Sequence, residues 1–300
     1  MEKILVTGGA GFIGSHVLDE LLKKGYAVRV LDSFVSGKRD RIPEGVEVIE
    51  GDVRDIAVLT EAMKGVAKVV HLAALVSVAA SMEEPLETHD VNVTGTANVF
   101  ETARKNGIAR IVYASSAAVY GDEPTLPKRE DTALAPKSPY ALSKFLDEEI
   151  AEAYQRIYDF SSAGLRFFNV YGKRQEGDHP YASVIPKWLV AAKKGETCRV
   201  FGDGSQTRDF IEVRDVARAV VTALESTAGG VFNIAAGTET KLSELQELLA
   251  TGLEGKISFE NVPAREGDIA RSVADVSRAK KELGFEAAIP LSEGVMALCV

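Results

Sequence analysis

Near its start the chain passes from a short apolar run, residues 3–6, into Thr7-Gly8-Gly9-Ala10-Gly11-Phe12-Ile13-Gly14, and then into an amphipathic stretch over 12–24. Glycines at 8, 11 and 14 between a strand and a helix restrict the fold more than any other feature. Gly8 suits a tight turn, Gly11 lets backbone approach a pyrophosphate at the helix N-terminus, and Gly14 lets the helix pack closely on the strand. A glycine triplet alone also marks ordinary strand-to-helix turns. Asp32 adds what such a turn lacks: it lies 18 residues past Gly14, at the end of the next strand-like run, where a carboxylate accepts from both hydroxyls of an adenine ribose. A 2′-phosphate would be repelled there, which favours NAD over NADP. Lys38 and Arg39 follow closely and would suit a phosphate or a solvated loop. Asp52 is expected near adenine, with capping of the next helix as its alternative role.

Short β-branched runs at 3–6, 27–31, 46–50, 68–72, 110–114 and 163–167 alternate with amphipathic stretches at 12–24, 56–63, 86–105 and 140–158. In the last of these, Leu142, Phe145, Leu146, Ile150 and Tyr154 repeat at helical spacing. This rhythm predicts an α/β fold, a Rossmann-type doubly wound parallel sheet with helices on both faces. Strands lacking polar alternation are what a sheet buried on both faces requires. From about Asn169 the rhythm loosens, Gly and Pro become frequent, and shorter helices are expected at 182–194, 215–226, 243–249 and 277–283. An apparent helix from Leu291 runs to Val300, which leaves a clipped end as one reading. Residues 1–169 are thus expected to form a dinucleotide-binding domain, with 205–235 returning to it in part. The remainder, 170–204 and 236–300, reads as a smaller, irregular α/β C-terminal lobe for substrate.

A chain of 300 residues buries roughly 75% of its unfolded surface. With 46% hydrophobic and 26% charged residues, it is neither disordered nor fibrous. A net charge of −9 with scattered Lys and Arg argues against nucleic acid as a partner. Cys198 and Cys299 stand far apart, no CxxC occurs, and His16, His71, His89 and His179 are dispersed, so no metal site is suggested and a reducing cytoplasm fits. No leader pattern precedes the first strand and no apolar run reaches spanning length, so neither a signal peptide nor a membrane span is expected.

Tyr140 and Lys144 stand four apart on an expected helix and project from one face. A free phenol, with a pKa near 10, is a poor base at neutral pH, and an adjacent ammonium favours the phenolate. Pro139 suits the first helical position, which puts the pair in the first turns at the sheet's carboxyl edge. Ser115 and Ser116 end the fifth strand at that same edge, where open α/β sheets bind ligands. Singly, each of these residues is common on ordinary helices and loops.

Further motifs follow in order: Gly51-Asp52-Val53, His71-Leu72-Ala73-Ala74, Asn92-x-x-Gly95-Thr96, Ser115-Ser116-Ala117-Ala118-Val119-Tyr120-Gly121, Arg166-Phe167-Phe168-Asn169, Gly204-x-x-x-Arg208-Asp209-Phe210 and Arg265-Glu266-Gly267-Asp268. With the glycine turn and Tyr140-x-x-x-Lys144 they span nearly the whole chain, which resembles the extended short-chain dehydrogenase/reductases and, within them, the UDP-sugar 4-epimerases. The resemblance implies NAD-dependent inversion of a UDP-hexose at C4 through a transient 4-keto sugar. Tyr140, as phenolate, would take the C4 hydroxyl proton while C4–H passes as hydride to tightly held NAD. Lys144 would support that phenolate and hold the nicotinamide ribose, and Ser116 would hydrogen-bond the C4 oxygen. Implied cofactor contacts are Gly8, Gly11, Phe12, Ile13, Asp32, Ser36, Gly37, Asp52, Val53, Leu72, Ala73, Ala74, Tyr140, Lys144 and Phe167. Implied substrate contacts are Ser77, Ser116, Asn169, Ser183, Phe201, Arg208, Arg265, Asp268 and Ser272, with the arginines on the diphosphate, Asp268 on the ribose and Phe201 against uracil. No metal is implied.

The chain departs from the family pattern at Val76, where bacterial relatives often carry Lys, and at Ser183, where they often carry Asn. Ser272 takes the position of the family's gate residue. A small residue there implies tolerance of UDP-GlcNAc and UDP-GalNAc beside UDP-Glc and UDP-Gal, with a solvent-facing strand serine as the alternative. Nucleotide-sugar 4,6-dehydratases carry Asp-Glu where Ala117 and Ala118 stand, and UDP-glucuronate decarboxylases carry Glu at the position of Ala118; the missing acids argue against both. A non-catalytic NAD-binding regulator is the rival from another class, opposed by Ser116, Tyr140 and Lys144 occurring together. The resemblance also implies a homodimer through the helices at 86–105 and 140–158; Val99, Phe100 and Tyr154 suit exposed faces of those helices and equally suit packing on the sheet.

Overall fold

The computed structural model describes residues 2–178, 182–264 and 269–300. The opening apolar run forms β1 (Lys3–Thr7), and the glycine turn delivers the chain into α1 (Phe12–Lys23). The alternation continues through β2 (Ala27–Asp32), β3 (Glu47–Glu50), α2 (Ile56–Ala62) and β4 (Lys68–His71). Helices α3 (Val78–Glu83), α4 (Pro85–His89) and α5 (Gly95–Lys105) lead to β5 (Arg110–Ser116). A tight 3-10 turn at Ala117–Tyr120 and a loop precede α6 (Pro139–Tyr158), which returns to β6 (Ser162–Phe167) and then β7 (Asn169–Tyr171). Beyond these come α7 (Val184–Lys194), β8 (Cys198–Phe201), β9 (Thr207–Arg208), β10 (Phe210–Glu212), α8 (Val213–Glu225) and β11 (Gly230–Ile234). The chain closes with β12 (Thr240–Lys241), α9 (Leu242–Gly252), β13 (Phe259–Val262) and α10 (Leu291–Cys299).

Seven strands form one parallel sheet in the order β11–β6–β5–β4–β1–β2–β3. The winding reverses between β1 and β4, and a ligand crevice belongs outside the carboxyl ends of the strands at that switch. Both sheet faces are covered. Leu18 and Leu21 of α1 pack with Val216 and Val220 of α8 on one side, and Leu59 of α2, Phe100 of α5 and Ala151 of α6 pack on the other. A separate core of Ile185, Trp188, Val200, Leu245, Leu249 and Val295 sits among α7, β8, α9 and α10. Among the described residues no helix is long and apolar enough to cross a membrane.

The stretch expected as one helix over 86–105 is interrupted. Pro85 starts α4, and residues Asp90–Thr94 widen into a π-turn before α5 resumes. Within that turn Asn92 accepts from the Leu75 amide at 2.8 Å, while its amide group donates to the Leu75 carbonyl and to Ser143 Oγ. The widened turn therefore keys α6 and the segment after β4 to one buried side chain. Likewise, the last turns of the helix expected over 277–283 are a π-turn at Ala279–Leu283.

Helix α6 buries charged as well as apolar side chains. Ser138 caps it by accepting from the Ala141 amide, and Pro139 takes the first helical position. Its apolar repeat is only partly covered: Leu142 is 45% exposed, Phe145, Ile150 and Tyr154 pack against the cores, and Lys144, Asp147 and Glu148 are buried beside them. The inner face is also held by charge pairing. Arg166 of β6 grips Glu148 with two donors, Nε to Oε1 at 2.9 Å and Nη2 to Oε2 at 2.7 Å, and Ser115 Oγ donates to the same carboxylate. Arg166 also donates to the Tyr120 hydroxyl, which donates to Asn233 of β11. Of the two readings of Val99 and Phe100, packing on the sheet is the one found: both are fully buried, because α5 turns them into the core beneath the sheet. Tyr154 is half-buried against that core, its hydroxyl donating to Glu101.

Removing one partner of a buried ion pair leaves an uncompensated charge, which costs about 3–5 kcal/mol. Arg166→Met is therefore expected to lower unfolding free energy by about that amount, and Arg166→Met/Glu148→Leu to recover most of it. Urea denaturation of the two variants checks this, and a double variant no more stable than the single one would contradict it.

Candidate active site

The glycine turn is built by close approach. Gly8 has φ of +72°, and a Cβ there would lie 2.7 Å from the Ala73 amide nitrogen. A Cβ on Gly14 would collide with the Gly8 carbonyl oxygen, so α1 seats against the turn only with glycine at that position. At Gly11 a Cβ would meet nothing but the Gly8 oxygen, at 3.2 Å; the side toward the cleft is open. Asp32 ties turn to sheet: its carboxylate accepts from the Ala10 amide and the Phe34 amide, each at 2.9 Å. A Cβ on Gly37 would press on that same carboxylate at 2.6 Å. An open backbone at a helix N-terminus, beside a fixed carboxylate at the end of β2, fits a dinucleotide's pyrophosphate and ribose. The neighbouring cations are paired: Lys38 Nζ lies 2.8 Å from Glu176, and Arg39 pairs with Glu50 and stacks on Phe34.

Asp52 does not cap α2; Asp55 does, accepting from the amides of Ala57 and Val58. Asp52 instead accepts from the Arg54 backbone amide at 2.8 Å and from its guanidinium, which holds the Asp52 carboxyl below its ordinary range. Arg54 had no signal in the sequence, yet it lines the cleft while pairing with Asp52, Glu87 and Asp90.

One cleft of about 1740 Å³ runs along the carboxyl edge of the sheet. Gly8, Gly11, Phe12, Ile13, Asp32, Ser36, Gly37, Asp52, Val53, Leu72, Ala73, Ala74 and Phe167 line it, as do Ser116, Tyr140 and Lys144. Ser77, Asn169, Ser183, Phe201 and Arg208 line it farther along. Ser77 Oγ caps α3, and Ser183 Oγ accepts from Gln175. Arg208 Nη1 donates to the Thr207 and Ile269 carbonyls. Ser272 is half-buried and is not among the cleft-lining residues; Arg271 before it pairs with Glu239, and Val273 after it accepts from the Lys128 amide. Arg265 and Asp268 lie outside the described residues.

At the chemical end Ser116 closes β5, its Oγ accepting from the Ala118 amide. The Tyr140 amide, one of the orphan donors of a helix start, donates to Ser81 Oγ of α3 at 3.1 Å. Lys144 Nζ donates to Asp147 at 2.9 Å, both side chains being almost fully buried. Burial pulls the Lys144 ammonium down, but Asp147, aided by Tyr140 and Glu148, outweighs it and holds Lys144 above the ordinary lysine value. Beneath this pair His71 bridges three elements: Thr7 Oγ1 of β1 lies 2.7 Å from Nδ1, and Thr96 Oγ1 of α5 lies 3.0 Å from Nε2. Burial, with a smaller push from the Lys144 charge, takes the His71 pKa down to about 3.

Residues 4–235 match the family described as NAD dependent epimerase/dehydratase. The UDP-glucose 4-epimerase of Mycolicibacterium smegmatis is 37% identical over 303 residues, covering 98% of this chain and 96% of that protein. A UDP-N-acetylglucosamine 4-epimerase from Methanobrevibacter ruminantium, solved with UDP-N-acetylmuramic acid, superposes with a TM-score of 0.95 at 35% identity, covering 99% and 97% of the two chains. A dTDP-glucose 4,6-dehydratase from Streptomyces venezuelae, solved with NAD, gives 0.91 at 30% identity, covering 99% and 95%.

Because native His71 stays neutral until about pH 3 while the unfolded chain takes up that proton near 6.5, its contribution is complete above pH 6.5 and is lost as pH falls toward 3. The expected slope is up to about 1.4 kcal/mol per pH unit. Between pH 6.5 and 5, urea denaturation should show wild-type stability falling more steeply than that of His71→Gln. Parallel profiles would contradict the neutral assignment.

Proposed function

We propose, since the chain belongs to the NAD-dependent epimerase/dehydratase family, that it inverts UDP-hexoses at C4 through a transient 4-keto sugar. The observation that carries this reading is one cleft lined by the glycine turn, Ser116, Tyr140, Lys144 and Arg208 together. NAD, when bound, supplies the acceptor and later the donor of the hydrogen removed from C4. Gly8, Gly11, Phe12, Ile13, Asp32, Ser36, Gly37, Asp52, Val53, Leu72, Ala73, Ala74 and Phe167 would hold it. Tyr140 would remove the C4 hydroxyl proton and return it after the sugar turns over. Lys144 would favour the phenolate and donate to the cofactor ribose, and Ser116 would donate to the C4 oxygen. Asn169, Arg208 and Arg265 would face the diphosphate, with guanidinium forks donating in pairs. Ser77 and Ser183 would contact the sugar, Phe201 would pack on the base, and Asp268 would accept from the ribose.

Acceptance of N-acetylated sugars is the finer part of the proposal, and the similar UDP-N-acetylglucosamine 4-epimerase supports it. Ser272 remains its candidate determinant. Ala117 and Ala118 present only methyl groups after Ser116, where a dehydratase needs acids, which weighs against the dehydratase reading. The division into residues 1–169, with 205–235 in part, and 170–204 with 236–300 is proposed as cofactor domain and sugar-nucleotide lobe. A cytoplasmic homodimer completes the reading, supported by the outward stripe of Leu142 and Ile157 on α6 and by Leu86 on α4; sedimentation velocity of the purified protein decides the oligomeric state.

Proton NMR of purified protein with UDP-Gal and, separately, UDP-GalNAc tests the reading. Both are expected to convert to their C4 epimers without net NADH. Tyr140→Phe should lower kcat by about 10²–10⁴-fold, the usual worth of a positioned general base. Conversion of UDP-Gal alone would remove the N-acetyl proposal. Conversion of neither, in protein that binds NAD, would leave a regulator or another nucleotide sugar.

A further inference from the structure

Helix α6 carries a buried carboxylate that the proposed reaction does not use. Asp147 stands one turn beyond Lys144 and is 1% exposed at its side chain, and its Oδ2 accepts from the Lys144 ammonium at 2.9 Å. The Thr96 hydroxyl acts on the same carboxylate, yet Oδ1 accepts no hydrogen bond of ordinary geometry. A buried carboxylate with one strong donor directs its charge at that donor, because an unsatisfied oxygen in a low dielectric has no water to screen it. Lys144, for its part, commits one of its three N–H donors to Asp147 and lines the cleft with the others unassigned to any group among the described residues.

The surroundings supply little competing charge. On α6 the neighbours are Tyr140 and Glu148, and Glu148 is neutralised by Arg166 of β6. From β4 comes His71, which is uncharged down to about pH 3, and from β5 comes Tyr113, whose burial pushes its phenol well above the ordinary value. Among the described residues, β1 and α5 bring the uncharged hydroxyls of Thr7 and Thr96, which bond that His71. Asp147 is thus the one carboxylate beside Lys144 that is not already matched to another cation among the described residues.

We propose that Asp147 is a positioning residue that keeps the shared proton on Lys144, so that the proton the Tyr140–Lys144 pair releases comes from the phenol. The pair, as Tyr–OH with Lys–NH₃⁺, can lose one proton to solvent in two ways. One product is Tyr–O⁻ with Lys–NH₃⁺, which can act as a base toward a sugar hydroxyl; the other is Tyr–OH with Lys–NH₂, which leaves the phenol without that capacity. A carboxylate in direct contact with Nζ stabilises the ammonium more than it disfavours the phenolate of a tyrosine two turns away along α6, since the interaction falls with distance. Asp147 therefore selects the first product. It also raises the pH at which the pair releases its proton, because either product carries less positive charge beside it. The proposal rests on the reading of Tyr140 as the base at C4.

The test is a pH titration of tyrosinate absorbance in NAD-loaded and cofactor-free protein, for wild type, Asp147→Asn and Tyr140→Phe. Wild type is expected to show a tyrosinate step that Tyr140→Phe lacks. In Asp147→Asn the step should move to lower pH by about one unit, the scale of a single neighbouring charge, and lose amplitude as neutral Lys144 takes its share. The acid limb of the kcat profile should shift with it, and kcat should fall while KM for the UDP-sugar stays within twofold, roughly the precision of such a comparison. Should Asp147→Asn fail to fold, nitrogen NMR of labelled lysines in wild type reads the same point: the Lys144 nitrogen stays an ammonium through the tyrosinate step. An unchanged step and acid limb in Asp147→Asn, or Lys144 losing its proton while the phenol keeps its own, would overturn the proposal. Titrations as expected in protein that does not epimerise UDP-Gal would instead count against the reaction assigned above and leave the role of Asp147 intact.

Discussion

The inner face of α6 carries charge where a helix of this kind ordinarily carries apolar side chains. Glu148 is gripped by Arg166 and Ser115, so one carboxylate ties the helix to β6 and β5 at once. A buried carboxylate stripped of its partner is costly, which gives α6 a single low-energy seating against the sheet. Tyr140 and Lys144 ride on that seating. They lie two turns and one turn before Glu148, and the amide of Tyr140 is anchored separately on Ser81. Ser116 is fixed by the same network, since it directly follows Ser115. The distance between the residues proposed to do chemistry is thus set by an ion pair that does none.

The sheet contributes the second constraint. Close approach at Gly8 and Gly14 brings α1 and the end of β4 against one turn, leaving open backbone at a helix N-terminus. Neutral His71 spans Thr7 and Thr96, locking β1, β4 and α5 directly beneath the Lys144 pair without adding charge to it. A cation at that position would oppose the lysine. Burial instead keeps the imidazole neutral, and Lys144 answers mainly to Asp147 and Tyr140.

Much of this was legible in the sequence, for identifiable reasons. The glycine turn, Asp32 and the first six strands are local features, readable from spacing alone, and they stand where expected. Tyr140 and Lys144 are likewise local, four apart behind a Pro at the helix start. What spacing concealed were features decided by tertiary partners. The apolar repeat of α6 gives no sign that Lys144, Asp147 and Glu148 are also buried, because Arg166, distant in sequence, supplies the countercharge for Glu148. For Val99 and Phe100 spacing leaves an outer face and packing on the sheet equally open, and α5 turns both beneath the sheet. The π-turn around Asn92 follows from hydrogen bonds to Leu75 and Ser143, which no helical pattern encodes. Asp147 had only its three-residue spacing from Lys144, a spacing found on any charged helix. Ser272 sits between Arg271, which pairs with Glu239, and Val273, whose carbonyl accepts from the Lys128 amide, contacts that motif position alone does not encode.

The central claim is that hydrogen leaves C4 of a UDP-hexose and returns to the same carbon without passing through solvent. Proton NMR of UDP-Gal incubated with the protein in D₂O tests this most directly, by following the product at C4, C5 and C6. The account predicts UDP-Glc that retains protium at C4 and gains no deuterium at C5 or C6. Deuterium at C4 would contradict an internal transfer, and a 4-keto-6-deoxy product with deuterium at C5 and the former C4 protium at C6 would show elimination in place of epimerisation.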